Sequence, residues 1–252
     1  MERKNFLRAF VVAAAAGPSF IASCKKDSET TSSSTTTSSS TSSTTTTTTT
    51  TPSCTLSPTE TEGPYPYPGG ELTNPLDRSD ITETQTGVPL SLTINVVDTN
   101  NSCAAVSGAR VDIWHCNKDG YYSGYANQPG ISGTLSYTGK TFLRGYQLSD
   151  SAGDVKFTTI YPGWYTGRAT HIHFEVYVNS VLKKTTQITF SETISDAVDV
   201  STLYASLGVN PVRNASDSVF GDSATDLANE TVALTGSISA GYSGSYTIGI
   251  EL

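Results

Sequence analysis

Residues 161–174, YPGWYTGRATHIHF, bring together side chains that can bind a metal ion and move protons. The segment holds two of the chain's three histidines, His171 and His173, with Tyr165 and Arg168 close by. Residues two apart on a β-strand point to the same face, so the two imidazoles can reach a single ion. A histidine pair alone names no metal, and zinc is the default choice. A hydrogen-bonded surface pair without metal is an equally good interpretation of these two residues.

Two tyrosines change the expected metal. Tyr165 follows a Pro-Gly turn, and Tyr122 lies just beyond the end of a predicted strand. A phenolate is a hard, anionic ligand, which favours ferric iron over zinc or ferrous iron. Two tyrosinates and two neutral imidazoles would leave a coordination position for hydroxide and substrate. Spacing alone does not bring Tyr122 to the histidines, and with 13 tyrosines in the chain a packing role remains open.

Alternating apolar residues and turn residues predict the strands that position these side chains. In HIHFEVYV, residues 171–178, the apolar side chains share the core face and the two histidines share the other. Similar stretches occur at residues 89–98, 109–115, 153–160, 183–190 and 244–252. Residues 195–208 predict a short helix, capped by Ser195 or Asp196 and ended by Gly208. The pattern predicts an all-β fold, an antiparallel β-sandwich with long functional loops and at most one or two short helices.

Several motifs occur in a characteristic order along the chain: TETEGPYPYP, VSGARVDIWHCNKDGYYS, FLRGYQLSDSAGDVKFTTIYPGWY, RATHIHFEV and TTQITF. In this order they resemble the intradiol ring-cleavage dioxygenases, non-haem ferric enzymes that include catechol 1,2-dioxygenase and protocatechuate 3,4-dioxygenase. The likeness runs from about residue 55 to residue 192 and is strongest to exported single-chain members. It implies cleavage of a catechol-type diol by O2, with both oxygen atoms incorporated, to a cis,cis-muconate-type dicarboxylic acid.

The resemblance also implies an iron-binding set. The tyrosine of the family's Gly-x-Tyr motif matches Tyr122, and that of its Pro-Gly-x-Tyr turn matches Tyr165. The family histidines match His171 and His173, and the four together would hold non-haem Fe(III). Tyr121 is the alternative to Tyr122 if the turn is shifted by one residue.

Three further positions acquire roles from the resemblance. Tyr165 would leave the iron and accept a substrate proton. Arg168 would stabilise negative charge that develops on the substrate, with a structural salt bridge as the alternative. Gln187 would orient the substrate by hydrogen bonding, or would be a solvated strand residue. His115 falls on a family motif but not on a ligand position, which indicates a packing role or one behind the ligands.

The substrate and the oligomeric state stay open. Only Thr166 and Gly167 separate Tyr165 from Arg168, whereas classical family members have a longer insert. A shorter loop predicts a more open pocket, so catechol, protocatechuate and a bulkier catechol all remain candidates. No segment before residue 55 matches the family's helical dimerisation segment, so a homo-oligomer is not assured.

Two other functions compete with the enzyme. One is an exported β-sandwich binding module without catalytic activity, whose histidines are structural or bind an adventitious metal. The other is a zinc hydrolase that uses His171 and His173, for which Glu175 is a poor third ligand because it lies one step further along the strand.

The amino-terminal sequence predicts export and a membrane anchor. Residues 1–23 combine basic residues with a short apolar run, as in a signal peptide. Their last three residues and Cys24 form the sequence IASC, which resembles a lipobox. A lipid on Cys24 would hold the protein at a membrane, facing the periplasm or the cell exterior. An ordinary cleaved secretory signal is the alternative, and a weak twin-arginine likeness leaves the export route open. Two glycan acceptor motifs, at Asn214 and Asn229, leave a eukaryotic secreted origin open.

The remaining organisation follows from composition. Residues 24–53, dominated by Ser and Thr, predict a disordered tether, and residues 54–252 predict one catalytic domain. A net charge of -8 argues against a nucleic-acid partner. In an oxidising compartment Cys54 and Cys103 form the favoured disulfide, although the sequence leaves the pairing of these two and Cys116 open.

Overall fold

Two β-sheets pack face to face in the computed structural model, which describes residues 55–252. The first sheet contains β1 (Pro89–Asp98), β2 (Ala104–Ala105), β7 (Asp154–Ile160), β11 (Leu234–Ser237) and β12 (Gly241–Ile250). The second contains β3 (Arg110–Trp114), β6 (Arg144–Leu148), β8 (His171–Val178), β9 (Val181–Phe190) and β10 (Thr231–Val232). A separate hairpin consists of β4 (Gln128–Gly130) and β5 (Gly133–Leu135). The described chain also has two short helices, α1 (Glu192–Asp199) and α2 (Ala224–Glu230), so the all-β prediction is confirmed.

Strand pairing is mostly antiparallel, as predicted. In the second sheet the order is β10, β9, β8, β3 and β6, with β8 antiparallel to both of its neighbours. In the first sheet β1 pairs antiparallel with β7 but parallel with β12, and β10 is parallel to β9. Each parallel pair joins strands that are distant in sequence, so no hairpin turn imposes the antiparallel direction.

The inter-sheet core fixes the orientation of β8. Ile172, Phe174 and Val176 are fully buried against residues of β1 such as Leu92 and Ile94. Burial of each large apolar side chain stabilises the fold by roughly 1.5–3 kcal/mol. A one-residue slip of β8 would move all three out of this core, so the register is strongly specified. His171 and His173 therefore point to the outer face of the second sheet.

The predicted helix at residues 195–208 was wrong in its boundaries. Helix α1 begins earlier, at Glu192, and ends at Asp199, after which residues 201–207 form turns. Tyr204 explains the early end, because its hydroxyl donates to the Tyr161 carbonyl and accepts from the Val88 N–H in the core. Helix α2 was not predicted, although the hydroxyl of Ser223 caps it by accepting from the Asp226 N–H.

An extended arm, residues 55–68, covers the outer face of β9. The Glu60 N–H donates to the Thr185 carbonyl, and the Lys184 ammonium donates to the Ser57 carbonyl at 2.8 Å. Because the arm covers this face, β8 is buried on both sides, unlike a strand with one solvated face. The arm and β8 thus enclose a second, polar interior outside the inter-sheet core.

Some predictions fall wholly or partly outside the described residues. The signal peptide, Cys24 and the Ser/Thr tether lie there, and the boundaries of the predicted domain stay a prediction. Within residues 55–252, no helix is long and apolar enough to cross a membrane. Cys103 is disulfide-bonded, whereas Cys116 is a buried free thiol. The predicted pairing with Cys54 stays a prediction, because Cys54 lies outside the described residues.

Candidate functional site

Three donor atoms meet on the outer face of β8. The Nε2 atoms of His171 and His173 lie 3.1 Å apart, and the Tyr122 hydroxyl lies 3.2 Å from Nε2 of His171. All three side chains are buried. The separations match those of neighbouring ligands that each lie about 2.1 Å from a common ion. The structure therefore brings together the two strand histidines and a tyrosine that precedes them by 49 residues.

Tyr165 completes this group of four predicted ligands. Its ring centroid lies 5.5 Å from that of His171 and 5.8 Å from that of Tyr122. Unlike Tyr122 it is only half-buried, because it also lines a surface cavity. Tyr165 thus separates the histidines from the cavity through which a substrate would arrive.

Two glycine-containing loops position the tyrosines. Gly120 has a positive φ of 84°, and a Cβ at this position would overlap the carbonyl oxygen of Trp164. A Cβ at Gly163 would likewise overlap the carbonyl oxygen of Lys118. Because only glycine allows backbones to approach so closely, the loop before Tyr122 and the loop before Tyr165 pack against each other directly.

The structure also distinguishes between the two adjacent tyrosines. The Tyr121 hydroxyl donates to the Gly133 carbonyl at 2.8 Å and accepts from the Ser132 N–H. It therefore points to the β4–β5 hairpin, away from the histidines. Tyr122 is held in the opposite direction, with its N–H donating to the Gln128 side chain at 2.7 Å. The one-residue shift that the sequence left open is not the arrangement observed.

His173 is fixed by packing on both sides. Its ring stacks on that of Trp114, with centroids 4.9 Å apart and planes inclined by 4°. On the arm, a Cβ at Gly63 would lie 2.9 Å from the Cε1 atom of His173.

A backbone contact sets the tautomer of His171. Its Nδ1 lies 2.6 Å from the Ala169 carbonyl, which can only accept, so Nδ1 carries the proton. The lone pair of His171 Nε2 is therefore free to bind an ion.

Burial sets the charge of the four side chains. It lowers the pKa of His171 to about 3, with the nearby Arg168 adding to the effect, and lowers the pKa of His173 well below its ordinary value. Both imidazoles are therefore neutral at pH 7. Burial also raises the pKa of Tyr165 to about 12 and that of Tyr122 well above 10. Without a cation both phenols stay protonated, whereas a highly charged ion would favour their ionisation.

The donor set fits ferric iron better than zinc. Two phenolic oxygens and two neutral imidazoles offer hard anionic and borderline ligands around one point. Residues 55–252 contain no cluster of three or more His, Cys, Asp or Glu side chains that could hold a metal. Glu175, the weak third ligand of the zinc interpretation, accepts instead from the hydroxyls of Tyr177 and Thr185. Within residues 55–252, therefore, no third His, Cys, Asp or Glu joins the two histidines as a zinc hydrolase site would require.

Arg168 and Gln187 form a linked pair close to the four predicted ligands. The Arg168 Nη2 donates to the Gln187 carbonyl oxygen at 2.7 Å, and the Gln187 amide donates to the Thr61 carbonyl of the arm at 2.8 Å. The positive charge of Arg168 opposes the rise in the pKa of Tyr165 that burial causes. Gln187 is completely buried, so it is not a solvated strand residue.

A buried carboxylate that the sequence did not reveal holds Arg168. Asp217 accepts from Arg168 Nε at 2.9 Å and from the Ala169 N–H at 2.6 Å. Its side chain has no solvent exposure. The structural salt bridge considered for Arg168 thus exists on one branch of the guanidinium, while the other branch faces Gln187. No local pattern near Asp217 signals this contact, since 49 residues separate the partners.

A cavity of about 570 Å³ opens beside Tyr165, one of the four predicted ligands. Tyr65 also lines the cavity, and its ring stacks on that of Tyr122 with centroids 4.7 Å apart. Tyr65 lies in the TETEGPYPYP motif, which the sequence analysis singled out without assigning a role to Tyr65. Its carbonyl accepts from the buried Arg144, which also donates to the Ser123 carbonyl.

His115 does not join the ligands. Its Nδ1 donates to the Cys116 carbonyl at 2.8 Å, and its Nε2 accepts from the Thr159 hydroxyl at 2.7 Å. Both nitrogens are thus engaged in a fully buried position, as the packing interpretation expects.

Comparisons with known proteins agree with this architecture. A family model described as dioxygenase matches residues 61–202. An intradiol ring-cleavage dioxygenase from Tetranychus urticae is 30% identical with a TM-score of 0.68, over 79% of this chain and 95% of that one. The dioxygenase domain of a carbohydrate-binding fusion protein from Streptomyces sp. SirexAA-E, at 22% identity and a TM-score of 0.56 over 79% of this chain and 99% of that one, shares the fold.

A curated relative extends the comparison. Catechol 1,2-dioxygenase 1 from Acinetobacter lwoffii is 27% identical over 149 residues, 52% of this chain and 45% of that enzyme. The chain therefore spans less than half the length of this relative. The family match nevertheless covers more than half of the chain and includes all six predicted site residues. The chain belongs to the intradiol ring-cleavage dioxygenase family.

Proposed function

We propose that the chain cleaves a catechol-type aromatic diol between its two hydroxyl-bearing carbons, using O2 and non-haem Fe(III). The product would be a cis,cis-muconate-type dicarboxylic acid. The observation that carries the proposal is the convergence of Tyr122, His171 and His173, with donor atoms 3.1–3.2 Å apart in a buried site. Family membership supports the reaction, and the name of the Acinetobacter relative supports a catechol as substrate.

Four side chains would hold the iron: Tyr122, Tyr165, His171 and His173. Bound iron would supply the Lewis acidity and the electron acceptance that make a coordinated diol reactive toward O2. The protein keeps both imidazoles neutral by burial and keeps His173 aligned by stacking on Trp114. The site therefore presents its lone pairs before the ion arrives, which lowers the reorganisation that binding requires.

Tyr165 is suited to exchange with the substrate. It is half-buried, lines the cavity and contacts His171, whereas Tyr122 is fully enclosed. When a diol enters, the Tyr165 oxygen would accept one of its hydroxyl protons and turn toward the cavity. A general base of this kind must lie within hydrogen-bond reach of the proton that it takes, as a ligand exchanged for the substrate does.

Arg168 would stabilise negative charge that develops on the substrate. Its guanidinium is fixed between Asp217 and Gln187, so it is already oriented when charge appears. Gln187 would orient the substrate or the arriving oxygen, while its amide keeps the arm in place through Thr61. The two residues act as one unit, because Gln187 accepts directly from Arg168.

Iron content and colour test the proposal. Tyrosinate ligands on ferric iron should make the purified protein red-brown, and catechol added under nitrogen should shift the absorption band. A binding module without activity would be colourless. Tyr122→Phe should lose most of the iron or of the colour. Tyr121→Phe is the matched control, because Tyr121 is equally buried but bonds to Gly133. Equal iron and equal spectra in the two variants would contradict the ligand assignment.

We further propose that the protein is exported and anchored through lipid on Cys24. The support is the signal-like run of residues 1–23, the IASC sequence and the Ser/Thr-rich residues that follow. The wild type should fractionate with membranes, and mass spectrometry should find diacylglycerol on the first residue after cleavage. Cys24→Ala should release the protein, and an unchanged membrane fraction would contradict the anchor.

A further inference from the structure

We infer that the substrate carries a large, uncharged, apolar substituent on the diol ring. The inference rests on the proposed function and specifies its substrate class. It follows from the size, the charge and the apolar walls of the cavity beside Tyr165.

The cavity is too large for an unsubstituted diol. Its volume is about 570 Å³, whereas a cavity of about 150 Å³ is enough to bind benzene. Tyr165 and Tyr65 lie at the end that contacts the ligand cluster, so the diol belongs at this end. The remaining volume lies away from the iron-binding side chains and is available to whatever the ring carries.

Apolar side chains from two parts of the chain line the cavity. Trp164 and Leu207 are two of these residues, and the indole N–H of Trp164 donates to the Gly208 carbonyl at 3.0 Å, which fixes the ring. Pro129 and Ile131 of the β4–β5 hairpin also line the cavity. Ile131 is 54% exposed, so an apolar substituent would cover surface that otherwise faces water.

The charges around the cavity disfavour an anionic substituent. Among the described residues that line the cavity, Asp119 is the charged one. The neighbouring Lys118 is already paired with it, with Nζ 2.7 Å from the carboxylate. A carboxylate on the diol ring would therefore lie near Asp119, and the described residues that line the cavity include no Lys or Arg to balance it.

Kinetics with three diols test the inference. We expect kcat/KM for 4-tert-butylcatechol and 4-phenylcatechol to exceed that for 3,4-dihydroxybenzoate at least tenfold at pH 7. Ile131→Arg should reduce this ratio by tenfold or more, because it adds a cation and removes apolar surface. Val181→Arg makes a comparable change at a similarly exposed site, 57% exposed, at the start of β9 beside the far end of β8. Its ratio should match that of the wild type.

Binding measurements separate this inference from the proposed function. Isothermal titration calorimetry of the iron-loaded protein under nitrogen should show the same order of affinity and the same effect of Ile131→Arg. If no diol is cleaved, the proposed function fails, and the calorimetric order decides the substrate class alone. Preference for 3,4-dihydroxybenzoate over both apolar diols would overturn the inference even if all three are cleaved. Equal ratios in Ile131→Arg and Val181→Arg would also overturn it.

Discussion

Asp217→Asn should destabilise the fold far more than the loss of an ordinary surface ion pair. The carboxylate is buried and accepts from Arg168 Nε, the Ala169 N–H, and the N–H groups of Val219 and Phe220. Asparagine keeps the shape but removes the charge and turns an N–H2 group toward donors. The Arg168 guanidinium, which is also largely buried, would then lack a counter-charge.

The magnitude follows from the burial of the pair. Removal of one partner of a buried ion pair costs about 3–5 kcal/mol. For a domain of about 200 residues this corresponds to a decrease in Tm of roughly 6–20 °C. Thermal unfolding followed by circular dichroism, on protein treated with a chelator, measures the effect without a contribution from iron.

The effect should also depend on pH. Burial by itself raises the pKa of Asp217, but hydrogen bonds from Arg168 and the Ala169 N–H outweigh it and hold the pKa below its ordinary value. The carboxylate therefore contributes its full stabilisation above the unfolded pKa of about 3.9, and this is lost as the pH falls through the lower folded pKa. The difference in Tm between wild type and variant should be constant from pH 5 to 7 and should shrink below pH 4.

Asp196→Asn provides the matched control. Asp196 pairs with Arg213 at 2.6 Å, but their side chains are 38% and 42% exposed. Such a pair contributes about 0–1 kcal/mol. If Asp217→Asn lowers the Tm no more than Asp196→Asn does, the argument that burial makes Asp217 important is wrong.

Three further predictions follow from the described contacts. His171→Ala should reduce bound iron, measured by elemental analysis, to below a tenth of the wild-type content; retention of iron and turnover would contradict its role. Gly63→Ala should lower turnover and broaden the iron spectrum, because the added Cβ would lie 2.9 Å from Cε1 of His173 and must displace the ring; unchanged spectra would show that the arm can move away. Burial raises the pKa of Glu230 to about 8, and repulsion from Glu60 adds to the rise. Because ionisation of this carboxyl is therefore unfavourable in the folded state, the free energy of unfolding should fall as the pH rises from about 4 to 8. Glu230→Gln should flatten that decline and raise the free energy of unfolding at pH 8 by about 1 kcal/mol or more; a decline in urea denaturation curves as steep as in the wild type would refute this.

The strands that position the site could be predicted because their apolar residues alternate. In β8 one alternation sets both the core face and the histidine face, so the orientation of His171 and His173 was accessible from the sequence. The approach of Tyr122 to His171 was not, because it depends on how two loops pack. Resemblance to a family supplied that expectation, and the geometry of Tyr121 now separates the adjacent candidates.

Polar contacts between residues distant along the chain could not be predicted from the sequence. Asp217 lies in an irregular segment with no periodicity, and its value comes entirely from partners distant along the chain. The predicted boundaries of helix α1 were wrong for a related reason. The helical sequence pattern continues to Gly208, but the helix ends at Asp199 because Tyr204 is bonded in the core. Propensity and periodicity describe neighbours in sequence, whereas these features depend on neighbours in space.

The direct backbone contact at Gly120 and Gly163 matters for anyone who would redesign this protein. The loops that carry Tyr122 and Tyr165 pack directly against each other. An insertion or a bulkier residue in either loop would therefore shift both phenolic oxygens together. Variation intended to alter selectivity is better introduced in the β4–β5 hairpin, which borders the cavity but contributes none of the four proposed iron-binding side chains. Mutant libraries there should spare Gln128, which holds the Tyr122 backbone, and can vary exposed positions such as Ile131 to explore the entrance.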